Sequence, residues 1–235
     1  MKIKDKIRIA IQKEIEPLGF HYVKSARGFE RIIDKNTIVK IVYDADCFHP
    51  GFTDITLLSA AYYLDIEEVL YKLTDMTVNE EGHLGIICRL QWLIPEEESA
   101  NLDFCFRDSD NEETYYYKLH NLVWRMKTYT LKHINRLSQK DTAIKEAIWL
   151  DSKDLILAEG VVPVMYCIWK HDKKAALDYL EEKRLRLLGR VKPEEWELLE
   201  RFKNGERFGK HNPLNANIYD EYMTFSAHFK EWVEE

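Results

Sequence analysis

Ile3, Ile7, Ile11, Ile15 and Leu18 recur at helical spacing from the start of the chain, with Arg8, Lys13 and Glu14 on the other face. The pattern predicts a helix that stops at Pro17-Leu18-Gly19, where glycine takes the left-handed C-terminal position. The period then shortens to two. Phe20 and Tyr22 alternate with polar neighbours, Ala26-Arg27-Gly28 reads as a turn, and Phe29, Arg31 and Ile33 resume the alternation. Asp34-Lys35-Asn36 turns the chain into Val39, Ile41 and Tyr43. Ile66, Val69, Leu70 and Leu73 predict a short helix over Asp65–Thr74. The longest alternation is His83–Ile94, which puts Leu84, Ile86, Cys88, Leu90, Trp92 and Ile94 on one face; Pro95 ends it by removing a ladder donor. Leu102, Phe104 and Phe106 alternate with Asp103, Cys105 and Arg107 in a further strand, and the two are expected to pair as a hairpin across Pro95–Asn101.

From Thr114 the period changes for good. Tyr115, Leu119, Leu122, Met126 and Tyr129 mark an amphipathic helix reaching to Leu137. Further helices are predicted at Asp141–Leu150, Lys153–Trp169, Lys173–Leu188, Pro193–Lys203 and Asn217–Val233. Asp172 and Asn217 are candidate N-caps, Pro193 a first-turn proline, and Gly189 and Gly205 terminators. In the last helix Ile218, Tyr222, Phe225, Phe229 and Trp232 form a stripe too apolar to leave in water, which must dock on its own chain or on a second copy. The expected fold is α+β: an N-terminal helix with an antiparallel sheet and a long helix over residues 1–138, followed by an all-α region over 139–235 packed on it.

Charge sharpens this picture at one place. Of 41 acids and 34 bases, eight acids and a single base, Arg107, fall between Glu96 and Glu113, leaving 33 of each sign elsewhere. That window therefore carries the whole formal charge of −7. Clustered carboxylates on an otherwise neutral body steer cationic partners and disfavour phosphate backbones, so no nucleic-acid partner is expected. They equally suit a solvated loop and hairpin. The four cysteines are scattered without a CxxC pair, which reads as reduced thiols. The charged N-terminal helix does not read as a signal peptide, and the uncharged run Gly160–Trp169 is too short to span a bilayer. The expectation is a cytoplasmic protein without a membrane contact, monomeric or homodimeric.

Glu16-Pro17-Leu18-Gly19-Phe20, followed by the basic, aromatic positions Lys24, Arg27, Phe29 and Arg31, resembles a bacterial family known as domain of unknown function 4304. The resemblance covers about residues 1–135. It implies an α+β fold with a terminal helix against an antiparallel sheet, and it implies no activity and no catalytic residues.

No Gly-x-Ser-x-Gly elbow, phosphate-cradling loop, dinucleotide fingerprint or His-Glu-x-x-His occurs, and no cofactor is expected. Asp44, Asp46 and His49 are the one local cluster with donors suited to a divalent cation, but a polar loop turning at Pro50-Gly51 is the simpler account of them and no metal is expected. His120 and His133 are too far apart to share an ion, and each reads as a core or surface histidine. Tyr115, Tyr116 and Tyr117 with Trp124 and Tyr129 lie beside the acidic window. The leading expectation is thus a non-enzymatic binding module that presents Glu96, Glu97, Glu98, Asp108, Asp110, Glu112, Glu113, Tyr115 and Tyr116 to a basic protein, with an immunity-type role as one form. The alternative is a metal-dependent hydrolase or transferase whose site is assembled from distant residues.

Overall fold

The computed structural model describes residues 2–47, 49–74, 85–99, 104–153, 160–209 and 213–234. The chain divides into two compact units, Met1–Glu67 with Glu80–Ala158, and Glu68–Asn79 with Glu159–Glu235.

The first unit is a helix-covered antiparallel sheet. Helix α1 (Ile3–Ile15) buries Ile7, Ile11 and Ile15, one residue per turn, and a short 3₁₀ turn at Glu16–Leu18 carries it to Gly19. Gly19 adopts φ +84°, the left-handed conformation that ends the helix as its sequence requires. Strands β1 (His21–Val23), β2 (Gly28–Asp34), β3 (Thr37–Asp46) and β4 (Phe52–Tyr63) form a continuous meander. Strand β4 is the longest and the structural centre, and the alternation reading does not contain it. In register with β3, its Leu57, Ser59, Ala61 and Tyr63 face the same side as Tyr43, Ile41, Val39 and Thr37. Tyr43 donates to the Lys4 carbonyl at 2.7 Å and Tyr63 to the Leu137 carbonyl at 2.7 Å, which ties this face to α1 and to the later helices.

Strand β5 (Gly85–Arg89) pairs with residues 58–62 of β4, and β6 (Cys105–Arg107) pairs with residues 52–54 of the same strand. The expected hairpin between these two therefore does not form; they lie end to end along one edge of β4. Nor does the alternation from His83 hold to Ile94. The chain leaves the sheet after Arg89 and winds into a single turn, α3 (Leu90–Leu93), followed by α4 (Glu96–Ser99). Leu90 and Ile94, both buried, are four residues apart, a spacing that a strand and a helical turn satisfy equally.

Helix α5 (Glu112–Arg125) opens on Asn111, whose side chain accepts from the Thr114 amide at 2.8 Å. The helical course reaches Leu137, as its stripe predicts, but not as one α-helix. A five-residue π turn at Met126–Thr130 separates α5 from α6 (Leu131–Leu137). The wider turn moves the buried stripe to Met126, Thr130, His133, Ile134 and Leu137, and leaves Tyr129 half-buried at the surface. Helix α7 (Lys140–Ser152) packs against α6 and closes the unit. No strand follows residue 115 among the described residues.

The division between units falls inside α2 (Leu64–Thr74), after Glu67. The second unit holds the end of α2 with α8 (Val161–Lys170), α9 (Lys173–Leu188), α10 (Pro193–Lys203) and α11 (Leu214–Glu234). The single helix expected over Lys153–Trp169 is not what forms: described helix begins at Val161, and residues 154–159 lie outside the described ones. Asp172 caps α9 by accepting from the Ala175 amide at 2.9 Å, and Pro193 opens α10. Asn217 is not the cap of α11 but sits inside it, donating to Glu221 at 2.9 Å. The aromatic stripe docks within the unit: Tyr222, Phe225 and Phe229 are buried, and Tyr222 donates to the Leu180 carbonyl at 2.9 Å. Gly160 is required twice over, by φ +81° and because a Cβ there would stand 2.2 Å from the Phe225 ring.

Candidate functional site

The acidic window divides into two groups held at opposite ends of α5. At its start, the Arg107 amide donates to Asp110 at 2.9 Å, and Lys118 reaches the same carboxylate at 3.0 Å while donating to the Cys105 carbonyl at 2.8 Å. The side chains of this pair are only 8% and 10% exposed, so Asp110 is a fixture of the β6–α5 junction and not part of a free surface. Burial pushes its carboxyl up, but the Arg107 amide and the Lys118 ammonium outweigh that and hold it below the usual carboxylate range. Glu112 and Glu113 sit in the first turn, where carboxylates complement the helix dipole. Asp108, Glu112 and Glu113 are exposed.

Tyr115 turns inward, its ring 5.6 Å from Phe106 and 5.5 Å from Tyr116. Tyr116 and Tyr117 are 58% and 71% exposed. A cleft of about 750 Å³ adjoins Tyr115 and Tyr116 between α1 and α5, but Lys6, Lys13 and Arg107 share its wall with Asp108 and Glu112, so it carries both signs.

Glu96, Glu97 and Glu98 belong to the other end. Arg125, the last residue of α5, donates to the Glu98 carbonyl at 3.2 Å, and Tyr129 donates to its carboxylate at 2.6 Å. At 1.5 Å per residue, α5 separates the two acidic groups by about 20 Å. The remaining acid of the eight, Asp103, lies outside the described residues. The structure thus brings Asp108, Glu112, Glu113, Tyr116 and Tyr117 together, and does not bring Glu96–Glu98 to them.

Asp44 and Asp46 stand at the end of β3 opposite Thr56 and Asp54, with His49 exposed in the following loop. Among the described residues no group of three His, Cys, Asp or Glu side chains converges to hold a metal ion.

A second polar cluster escaped the sequence reading. Ser59, in the middle of β4, donates to the Cys88 carbonyl at 3.2 Å. Its oxygen also lies 2.7 Å from His133 Nδ1, a bond whose donor is set by the tautomer of the ring. The far side of the same ring, Nε2, faces Glu146 of α7 at 3.4 Å without the alignment of a hydrogen bond. Arg136, one turn further along α6, contacts the other Glu146 oxygen. The neighbouring His133 ring first, and then Arg136 against the opposing effect of burial, hold Glu146 below the usual carboxylate range.

Ser, His and Glu in line suggest a nucleophile with its base, but the geometry denies that chemistry. Ser59 has no solvent exposure, so no substrate reaches its hydroxyl. What the line does is fix the His133 ring. Beyond it lies a cleft of about 540 Å³ between α3, the π turn, α6 and α7. Comparison with family models, curated proteins and solved structures finds no match for this chain. Nothing in the sequence marks the cluster, because its members are 74 and 13 residues apart and each sits in an ordinary helical or strand pattern.

Proposed function

We propose that the protein is a non-enzymatic binding module that engages a basic protein partner through the surface at the start of α5. The observation that supports this is the pairing of two exposed aromatics, Tyr116 and Tyr117, with the exposed carboxylates of Asp108, Glu112 and Glu113. Tyrosine supplies large contact area at low entropic cost, and charge of one sign around it selects the partner's sign. The Phe106–Tyr115–Tyr116 ring contacts stiffen the first of these anchors before any partner arrives. An immunity-type bacterial protein that neutralises a cationic toxin in the cytoplasm is the concrete form of this reading. The alternative of a metal-dependent hydrolase or transferase at Asp44, Asp46 and His49 gains no support from their placement.

The test replaces Tyr117 by a photo-crosslinking residue, with and without Glu112→Lys and Glu113→Lys. Wild-type acids should yield a crosslink to a basic protein that weakens with added salt, and the charge-reversed surface should yield none. Equal crosslinking by both forms, or a crosslink to an acidic protein, overturns the reading.

A further inference from the structure

The cleft beyond His133 has the wrong sign for the chain that contains it. Its polar wall carries Lys132, Arg136 and Lys145 against a single carboxylate, Glu146, in a protein of net charge −7. Lys132 and Lys145 have no ion-pair partner among the described residues, and both are exposed. Arg136 spends one contact on Glu146 and remains 56% exposed, with further donors of its fork available. The apolar walls are two indoles, Trp92 at 40% and Trp149 at 41% exposure. Half-exposed tryptophan beside unpaired cations is a costly way to build a surface that binds nothing.

The floor supplies the independent indication. His133 is 3% exposed, and its ring is held between Ser59 at Nδ1 and the Glu146 carboxylate, 3.4 Å from Nε2, so the floor is a fixed polar group. The π turn at Met126–Thr130 lies at the same cleft, contributing Tyr129, and such turns recur at functional sites.

We infer that this cleft binds a small organic anion built on a flat aromatic ring. The anionic group sits between Arg136, Lys132 and Lys145, and the ring lies against Trp149 and Trp92. A volume of about 540 Å³ admits a ligand of mononucleotide size and leaves no room for a folded partner. The site is separate from the surface proposed for protein binding, so either can fail alone.

The test is a titration of the full-length chain, followed by tryptophan fluorescence and calorimetry, with four probes. Adenosine monophosphate and indole-3-acetate carry a ring with a phosphate or a carboxylate; adenosine and inorganic phosphate each carry half of the chemistry. At least one ring-bearing anion should bind roughly tenfold or more tightly than either half-ligand, because charge-assisted bonds and ring contact add. Which of the two wins identifies the anionic group. The double variant Lys132→Gln/Lys145→Gln and the single variant Trp149→Leu should each weaken binding by roughly tenfold, all three being exposed side chains whose loss leaves the fold intact. Glu112→Lys should not change it. Failure of both ring-bearing anions to bind at millimolar concentration overturns the inference, as does affinity indifferent to the Lys132/Lys145 variant. Phosphate binding as tightly as the mononucleotide overturns it too, since the indole walls would then play no part.

Discussion

The two ends of the α5–α6 helical course hold different balances of charge, with Glu98 held against the turn between them. At the start are four of the eight acids of the window, and the fold uses several of them internally: Asp110 is buried on Lys118, and Glu112 and Glu113 stand where the helix N-terminus favours carboxylates. At the far end are cations that no stretch of sequence makes conspicuous, and two of them, Lys132 and Lys145, remain unpaired among the described residues. Charge density along a chain therefore differs from charge offered to a ligand. The first is a count, while the second is what remains after capping and pairing.

Lys118→Met breaks this comparison most sharply. If Asp110 is a structural fixture, the substitution leaves a carboxylate without its ammonium in a nearly closed site, at a cost of about 3 kcal/mol in chemical denaturation. Adding Asp110→Leu should recover most of that loss, because an apolar pair replaces the ionic one. A cost of the single variant below about 1 kcal/mol would mean that Asp110 is solvated, and the acidic end would be larger than described.

How far this could be read beforehand depends on which faces meet water. Helices α9 and α10 begin and end where the pattern puts them, at Lys173–Leu188 and Pro193–Lys203, because each carries its own punctuation in Asp172 and Pro193. Strand β4 went unread for the opposite reason. Its first half alternates, but Ser59 to Tyr63 are buried on both faces, so the contrast that marks a half-exposed strand vanishes. Small Ser59, Ala60 and Ala61 carry no strand signature either. The loss of β4 then propagated: without it, β5 and β6 had only each other to pair with. The basic cleft depends on the same strand. Ser59 is what orients His133, and neither Glu146 nor Arg136 is recognisable as a neighbour until α6 and α7 fold back on each other.

At the basic end the sharper measurement is pH. The folded-state carboxyl of Glu146 lies below its unfolded value, so its contribution is fully present above the usual carboxylate range. It is lost as pH falls through the depressed value. Glu146→Gln should cost about 1–3 kcal/mol at neutral pH and less on acidification, so that the wild-type and variant stability curves converge toward low pH. Curves that stay parallel would show that Glu146 is not held by His133 and Arg136, and the comparison would lose its ordered end.

The smallest effect is the most discriminating. Lys132→Gln with Lys145→Gln removes two cations that pair with nothing among the described residues, so stability should change by less than about 0.5 kcal/mol in either direction. If anything it should rise, because two like charges near Arg136 repel each other in the empty cleft. A structural lysine behaves in the other way: like Lys118, its loss strands an acid. A measured loss above about 1 kcal/mol would therefore reveal hidden pairing and make the two ends of the helical course alike. A stability left unchanged, with binding of a ring-bearing anion weakened in the same variant, would show that these charges are kept for something other than the fold.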